Sequence, residues 1–287
     1  MGKNMKNYTI KNKEIQLTVS SLGAEIQSLI HNGRQRFWTG NPEFWAGKAP
    51  VLFPVCGRMR TKSYFYEGKE YQMPAHGFAK TSEFEPVEIK ENEITFLLKW
   101  NEETLAIYPF KFEFYLTYKL ENSTLKVTRK VLNRGENKMY FSLGSHESYL
   151  LEGNIEDYFL RFEKEEDFHS IVVDGDGLIT DKFDNFGDNT NKLQVGYYLV
   201  KNDTAVFSSL NSRKVDLLRN KERYASLTYD APNFLIWTKE NAPFVCLEPW
   251  FNLPDTNLSN KVLIEKPGML TLEKGKMFIS EYSITYY

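Results

Sequence analysis

The sequence predicts an all-β protein, an antiparallel sandwich or barrel with very little helix. Two patterns carry that prediction: one run alternates strictly with period two, and roughly twenty short apolar runs follow one another closely with no helical pattern between them. A third observation concerns organisation. No internal repeat and no Pro/Gly/Ser-rich linker divides the chain, so residues 1–287 read as a single domain. That length suits one large sandwich as well as two ordinary domains.

In chain order, Glu14–Val19 alternates, and Ala24–Ile30 follows a Ser20–Gly23 turn. Glu93–Trp100 is the next strand. Asn101–Tyr108 reads as one short helix, capped by Asn101, with acids in its first turn and Pro109 ending it. The clearest run is Phe110–Leu120, where Phe110, Phe112, Phe114, Leu116, Tyr118 and Leu120 share one face. Glu121–Ser123 turns it, and Thr124–Leu132 returns as its hairpin partner. Met139–Ser145, Ala205–Ser208, Lys214–Leu218, Tyr224–Tyr229 and Phe278–Ile284 also read as strands. Glu163–Asp167 reads as a solvated surface turn. Gly175–Asn191 reads as a long solvated loop; its Asp/Gly/Asn clusters do not fit the twelve-residue calcium loop.

Composition removes several function classes. The chain is 41% hydrophobic and 15% aromatic, so a sizeable core is expected and global disorder is not. Thirty-six basic against thirty-eight acidic residues leave a net charge of −2, which gives no basic face for nucleic acid. No window approaches the roughly 18 apolar residues of a membrane helix, and the N-terminus lacks the apolar segment of a secretory signal. Met1–Asn4 is read as an extension ahead of a start at Met5. Cys56 and Cys246 lack the spacing of a zinc knuckle or redox pair and read as small buried hydrophobes. A cytoplasmic location follows from these readings.

The stretch Asn233–Trp250 gathers the chemistry. A buried strand, Phe234–Trp237, turns through Lys239–Ala242 and resumes as Phe244–Leu247, ending on Glu248 before Pro249 and Trp250. An acid at the mouth of an apolar strand loses hydration, so its pKa rises and it becomes a base competent near neutral pH. The plainer reading is a strand-end acid paired with a surface lysine. Of the four histidines, His31 precedes an Asn-Gly hairpin signal and reads as exposed and inert, and His169 has no companion pattern. His76 lies between Pro74-Ala75 and Gly77, on a loop that lets backbone approach a ligand. His146 follows Gly144-Ser145 at the expected end of the strand Met139–Ser145. Either is unremarkable alone; two on Gly-flanked loops beside a strand-end Glu form an acid–base set.

Arg58 follows an apolar run and a glycine, which suits a donor fork aimed into a cleft, and Arg60 competes for that role. Asp230, before Ala231-Pro232, reads as an Asx cap or as an acceptor for vicinal hydroxyls. Trp38, Trp45, Trp237, Trp250 and Phe251 supply aromatic faces of the kind on which sugars stack, or simply core. There is no Gly-rich phosphate loop, nucleophile elbow or metal-ligand spacing. The inventory calls for no metal and no cofactor.

These motifs together resemble the aldose 1-epimerase (galactose mutarotase) family, in particular its LacX-like branch. The resemblance rests on Ala49–Pro54 leading to Gly57-Arg58, on Ala75-His76-Gly77-Phe78, on Gly144-Ser145-His146, on Tyr229–Pro232 and on Leu247–Trp250. It implies a large antiparallel β-supersandwich. It also implies that His146 is the general acid, that Glu248 is the general base, and that Arg58, His76 and Asp230 bind sugar hydroxyls. Ser145 stands where many relatives have glycine, and Glu147 where proline is usual. The implied reaction is mutarotation: proton transfer at the anomeric hydroxyl and ring oxygen opens the ring, the C1–C2 bond rotates, and closure gives the other anomer. The acid and base would act from opposite sides of the hemiacetal.

Other readings remain open. A hexose-6-phosphate mutarotase would draw on Arg58, Arg60, Lys62 and Lys80, and a non-enzymatic sugar-binding protein would share the fold. A glycosidase built on Asp230 and Glu248 leaves His146 unexplained. The expected partner is a small-molecule sugar; a homodimer formed through an edge strand is compatible with the sequence.

Overall fold

The computed structural model describes residues 5–287, and the expected extension Met1–Asn4 lies outside the described residues. Every strand-to-strand ladder is antiparallel. The largest sheet has nine strands, in the order Thr190–Gln194, Tyr158–Glu166, Lys214–Arg219, Glu222–Tyr229, Met277–Tyr286, Thr124–Asn133, Phe112–Glu121, Glu93–Lys99 and Glu85–Ile89. A four-stranded sheet, Glu147–Leu150, Phe244–Trp250, Asn233–Trp237 and Ala205–Phe207, packs on the core it helps to form. A second four-stranded sheet spans Asn7–Gln35. This is the large antiparallel sandwich that the alternation predicts.

The alternation read from the sequence is the alternation of burial. Along Phe112–Glu121 every second side chain is buried, from Phe112 to Leu120, and the residues between are half-buried. Thr124–Asn133 returns beside it in continuous register, after a turn in which Asn122 takes a positive φ. The single α-helix among the described residues, Glu102–Ile107, starts as expected. Asn101 Oδ1 accepts from Thr104 N–H at 2.8 Å, and Thr104 Oγ1 accepts in turn from Asn101 N–H at 2.9 Å.

Several local expectations are corrected. His31 is buried, not exposed, and its Nε2 lies 2.9 Å from Ser123 Oγ. Glu163–Glu166 continues the strand Tyr158–Glu166, where the buried Glu166 carboxylate accepts from Ser212 N–H and Oγ–H, each at 2.7 Å. Isolated charge runs look solvated because sequence does not reveal a partner some 46 positions away. Gly175–Asn191 is not a free loop either. Ile179–Asn185 forms a hairpin with His169–Val173, and Thr190 begins the outermost strand of the large sheet.

The strand Phe244–Trp250 is buried along its whole length. Val245 and Leu247 enter the main core, while Phe244, Cys246, Glu248 and Trp250 face the other way. Of these, Glu248 and Trp250 line the cavity described next.

Candidate active site

Glu248 lies inside this strand, 1% exposed, not at its mouth. His146 likewise does not end a long strand. The strand Met139–Phe141 stops early, and His146 immediately precedes Glu147–Leu150. The connecting Gly144-Ser145 is latched to the Glu248 strand: Ser145 N–H donates to Pro249 O at 3.3 Å, and Trp250 Nε1–H donates to Ser145 O at 2.9 Å. A Cβ on Gly144 would fall 2.8 Å from both Cys56 Sγ and Trp250 Cδ1, so only glycine allows this approach. Glu147 is registered on Leu247, which carries His146 across to Glu248.

His146 Nδ1 and Glu248 Oε1 are 3.4 Å apart. The imidazole and the carboxyl therefore stand side by side. Among the described residues, neither His146 Nδ1 nor Glu248 Oε2 has a hydrogen-bond partner. The imidazole is held by rings: Trp45 stacks on it at 5.0 Å and 29°, and Trp237 meets it edge-on at 5.7 Å and 75°. Burial pushes His146 down to about 3, and burial, reinforced by the Glu147 carboxyl, pushes Glu248 well above the usual carboxylate range. Over the interval between, the pair holds one proton, and so offers one donor and one acceptor.

The pair lies in a cavity of about 310 Å³ lined also by Trp45, Arg58, His76, Asp203, Lys239 and Trp250. His76 occupies a positive-φ position (63°) before Gly77, whose missing Cβ would otherwise sit 2.1 Å from Phe53 O. Gly57 N–H donates to His76 Nδ1 at 3.2 Å, so the neutral ring carries its proton on Nε2 and is a donor there. Burial, then His146, Lys80 and Arg58, hold His76 well below the ordinary imidazole range.

Arg58 reaches the cavity, and Arg60 does not. Arg60 donates to Ser259 O at 2.7 Å on the outside. Asp230 is not brought to the site. Its carboxylate accepts from Ser280 Oγ–H and Glu281 N–H, each at 2.9 Å, and lies 3.7 Å from the buried Arg129. The turn after Tyr229 directs it toward the strand Met277–Tyr286, an alternative to the cavity that local sequence does not distinguish. Trp38 and Phe251 are packing residues, against Phe244 and Phe278 respectively. Val173, Gly177, Asp203 and Lys239 line the cavity without a sequence signal; they arrive from loops and hairpin ends. Among the described residues no helix is long and apolar enough to cross a membrane.

Comparisons with known proteins agree with the fold. The family profile described as Aldose 1-epimerase matches residues 6–283. Protein LacX (plasmid) of Lactococcus lactis subsp. lactis is 31% identical, over 96% of this chain and 98% of that protein. The galactose mutarotase related enzyme from Lactobacillus acidophilus superposes with a TM-score of 0.92 at 33% identity, covering 98% of this chain and 97% of that one. A galactose mutarotase-like protein from Lactobacillus casei superposes at 0.91 with 27% identity, over 98% of this chain and 100% of that one. With the profile match running almost from end to end, this chain belongs to the aldose 1-epimerase family.

Proposed function

We propose that the chain, acting as one domain, interconverts the α and β anomers of an aldose by acid–base ring opening. Glu248 accepts the proton of the anomeric hydroxyl while His146 donates to the ring oxygen. The C1–C2 bond of the open aldehyde rotates, and the two groups exchange roles as the ring closes on the other face. The observation that carries this reading is the His146–Glu248 contact at 3.4 Å on a cavity wall. The two oxygens of a hemiacetal share one carbon, so an acid and a base side by side can address both. The reaction starts from the form in which the pair's one proton has moved from Glu248 to His146, and each positioned proton-transfer group is worth about 10²–10⁴-fold. Arg58 and His76 Nε2 are proposed donors to the sugar hydroxyls. The test is the rate of anomer equilibration of freshly dissolved glucose and galactose, by polarimetry or NMR. Acceleration by the wild type but not by Glu248→Gln supports the reading; no acceleration of any sugar, with saturable sugar binding, would leave a binding protein.

A second reading concerns the substrate. Arg58 and Lys239 line the cavity, Lys80 lies close enough to act on both His76 and His146, and none of the three makes an ion pair among the described residues. Burial, then Arg58, lower the Lys80 pKa, which is the signature of a cation without a counter-ion. An anionic substituent remote from the anomeric carbon would supply one, so a sugar 6-phosphate belongs in the same assay.

A further inference from the structure

We propose that His146, Cys246 and Glu248 form a binding site for a zinc-class divalent ion, and that the bound ion shuts the cavity to its sugar. One donor atom from each residue lies within 4.8 Å of the other two, and all three residues are buried. Tetrahedral zinc, with bonds of about 2.0–2.3 Å, wants donor atoms roughly 3.5 Å apart. His146 Nδ1 and Glu248 Oε1 are already 3.4 Å apart. The Cys246 sulfur lies within 4.8 Å of both, and binding would draw the three donors together.

Three further features point to a ligand here. Glu248 Oε2 and His146 Nδ1 are buried without hydrogen-bond partners, an arrangement that costs free energy until something coordinates them. Cys246 is a free thiol two residues before Glu248, on the same face of one strand. Two ligands sit on one strand and the third is the residue leading into its hydrogen-bonded neighbour, so their spacing is set by the sheet.

The donor set selects the ion. A thiolate, an imidazole and a carboxylate suit zinc and its borderline-soft neighbours, whereas magnesium and calcium take oxygen ligands. Binding displaces the thiol proton of Cys246 and the proton shared by His146 and Glu248. The two anionic ligands then neutralise the ion's two charges, so Arg58 and Lys80 nearby meet no net cation. Three protein ligands leave the fourth position for water. The ion would sit between the acid and the base, where the hemiacetal has to be. Strand pairing brings the ligands together, which is why no linear spacing of Cys, His and Glu announces them.

The inhibitory half of this inference rests on the mutarotase reading; the binding half does not. The experiment therefore measures both. Metal binding is followed by cobalt(II) absorption and by zinc competition against a chromogenic chelator, on wild type, Cys246→Ala and Cys246→Ser. Anomer equilibration is measured on the same proteins with zinc or magnesium added. The expected result is one zinc per chain and a thiolate-to-cobalt charge-transfer band in the wild type. Loss of Cys246 should weaken zinc by at least about 10–100-fold, the loss that even outer-shell changes cause. Zinc, not magnesium, should slow the wild type in competition with sugar, while both Cys246 variants keep their basal rate and resist zinc. A cobalt spectrum without the thiolate band, or zinc affinity and inhibition unchanged in both variants, overturns the proposal. Cys246-dependent binding in a protein that accelerates no sugar would uphold the metal site and remove the mutarotase reading instead.

Discussion

His146 faces Glu248 because Glu147 is paired with Leu247: continuing that antiparallel register by one residue brings the imidazole and the carboxyl to 3.4 Å. The contact is thus a property of the sheet, and substitutions at either residue should alter chemistry with little effect on the fold.

Glu248→Gln and His146→Asn should each lower kcat/KM by about 10²–10⁴-fold with an unchanged circular dichroism spectrum. The double variant should lose little more than either single one, because each group is useless without the other. Wild-type rates in either single variant would sink the role assignment.

The pH profile should be flat where an ordinary histidine titrates. The free enzyme gains a second proton on the pair only as pH falls toward about 3, where His146 charges, and loses its one proton only above the raised value of Glu248. Since kcat/KM reports the free enzyme, no limb is expected near the usual imidazole value of about 6.5. A half-loss of kcat/KM centred there would contradict a neutral, buried His146.

Gly177 bears on Arg58. It has φ +74°, and a Cβ there would lie 2.8 Å from Arg58 Cδ and Nε. Gly177→Ala should raise KM several-fold with a smaller change in kcat, and cost about 1–2 kcal/mol for the left-handed backbone. In an Arg58→Ala background the KM effect should vanish; steady-state kinetics on the four proteins decides it.

Asp230→Ala should leave KM unaltered and lower stability by about 1–3 kcal/mol, because the carboxylate bonds Ser280 and Glu281 beside the buried Arg129. A KM rise without a stability loss in urea denaturation would return Asp230 to the sugar.

Lys266 and Asp255 form a buried pair at 2.5 Å, each side chain under 5% exposed, and Asp255 also accepts from Arg60 N–H at 2.9 Å. Lys266→Met should cost about 3–5 kcal/mol by stranding the Asp255 charge. Joint replacement of both by apolar residues should recover much of that, as a double-mutant cycle in denaturant would show.

What the sequence made legible followed from periodicity and local capping. Phe112–Leu120 could be read because its partner strands bury one face, and the helix because Asn101 and Thr104 satisfy each other within one turn. His146, Glu248, His76 and Arg58 were legible as residue types flanked by glycine or proline, and they share one cavity. What could not be read depends on distant partners. Glu166 looks solvated until Ser212 is placed beside it, His31 until Ser123 is, and Gly177 looks like loop until Arg58 passes under it. Asp230 failed for the opposite reason: a turn residue has two directions, and a strand far along the chain supplied the donors that hold its carboxylate.

The indole stack of Trp45 and the edge of Trp237 hold the His146 ring on two sides, which opposes its turning over. Its two nitrogens are therefore held in place, one toward Glu248 and the other away from it. Under the proposed reaction the protein groups then stay still through the whole cycle, and the part that swings is the substrate's own aldehyde. Under that reading, the rate of anomer exchange depends on how freely the opened sugar pivots before it recloses. In such a reaction the volume around C1 would set the speed, and contacts at the far end of the sugar would set which sugars are held long enough to pivot.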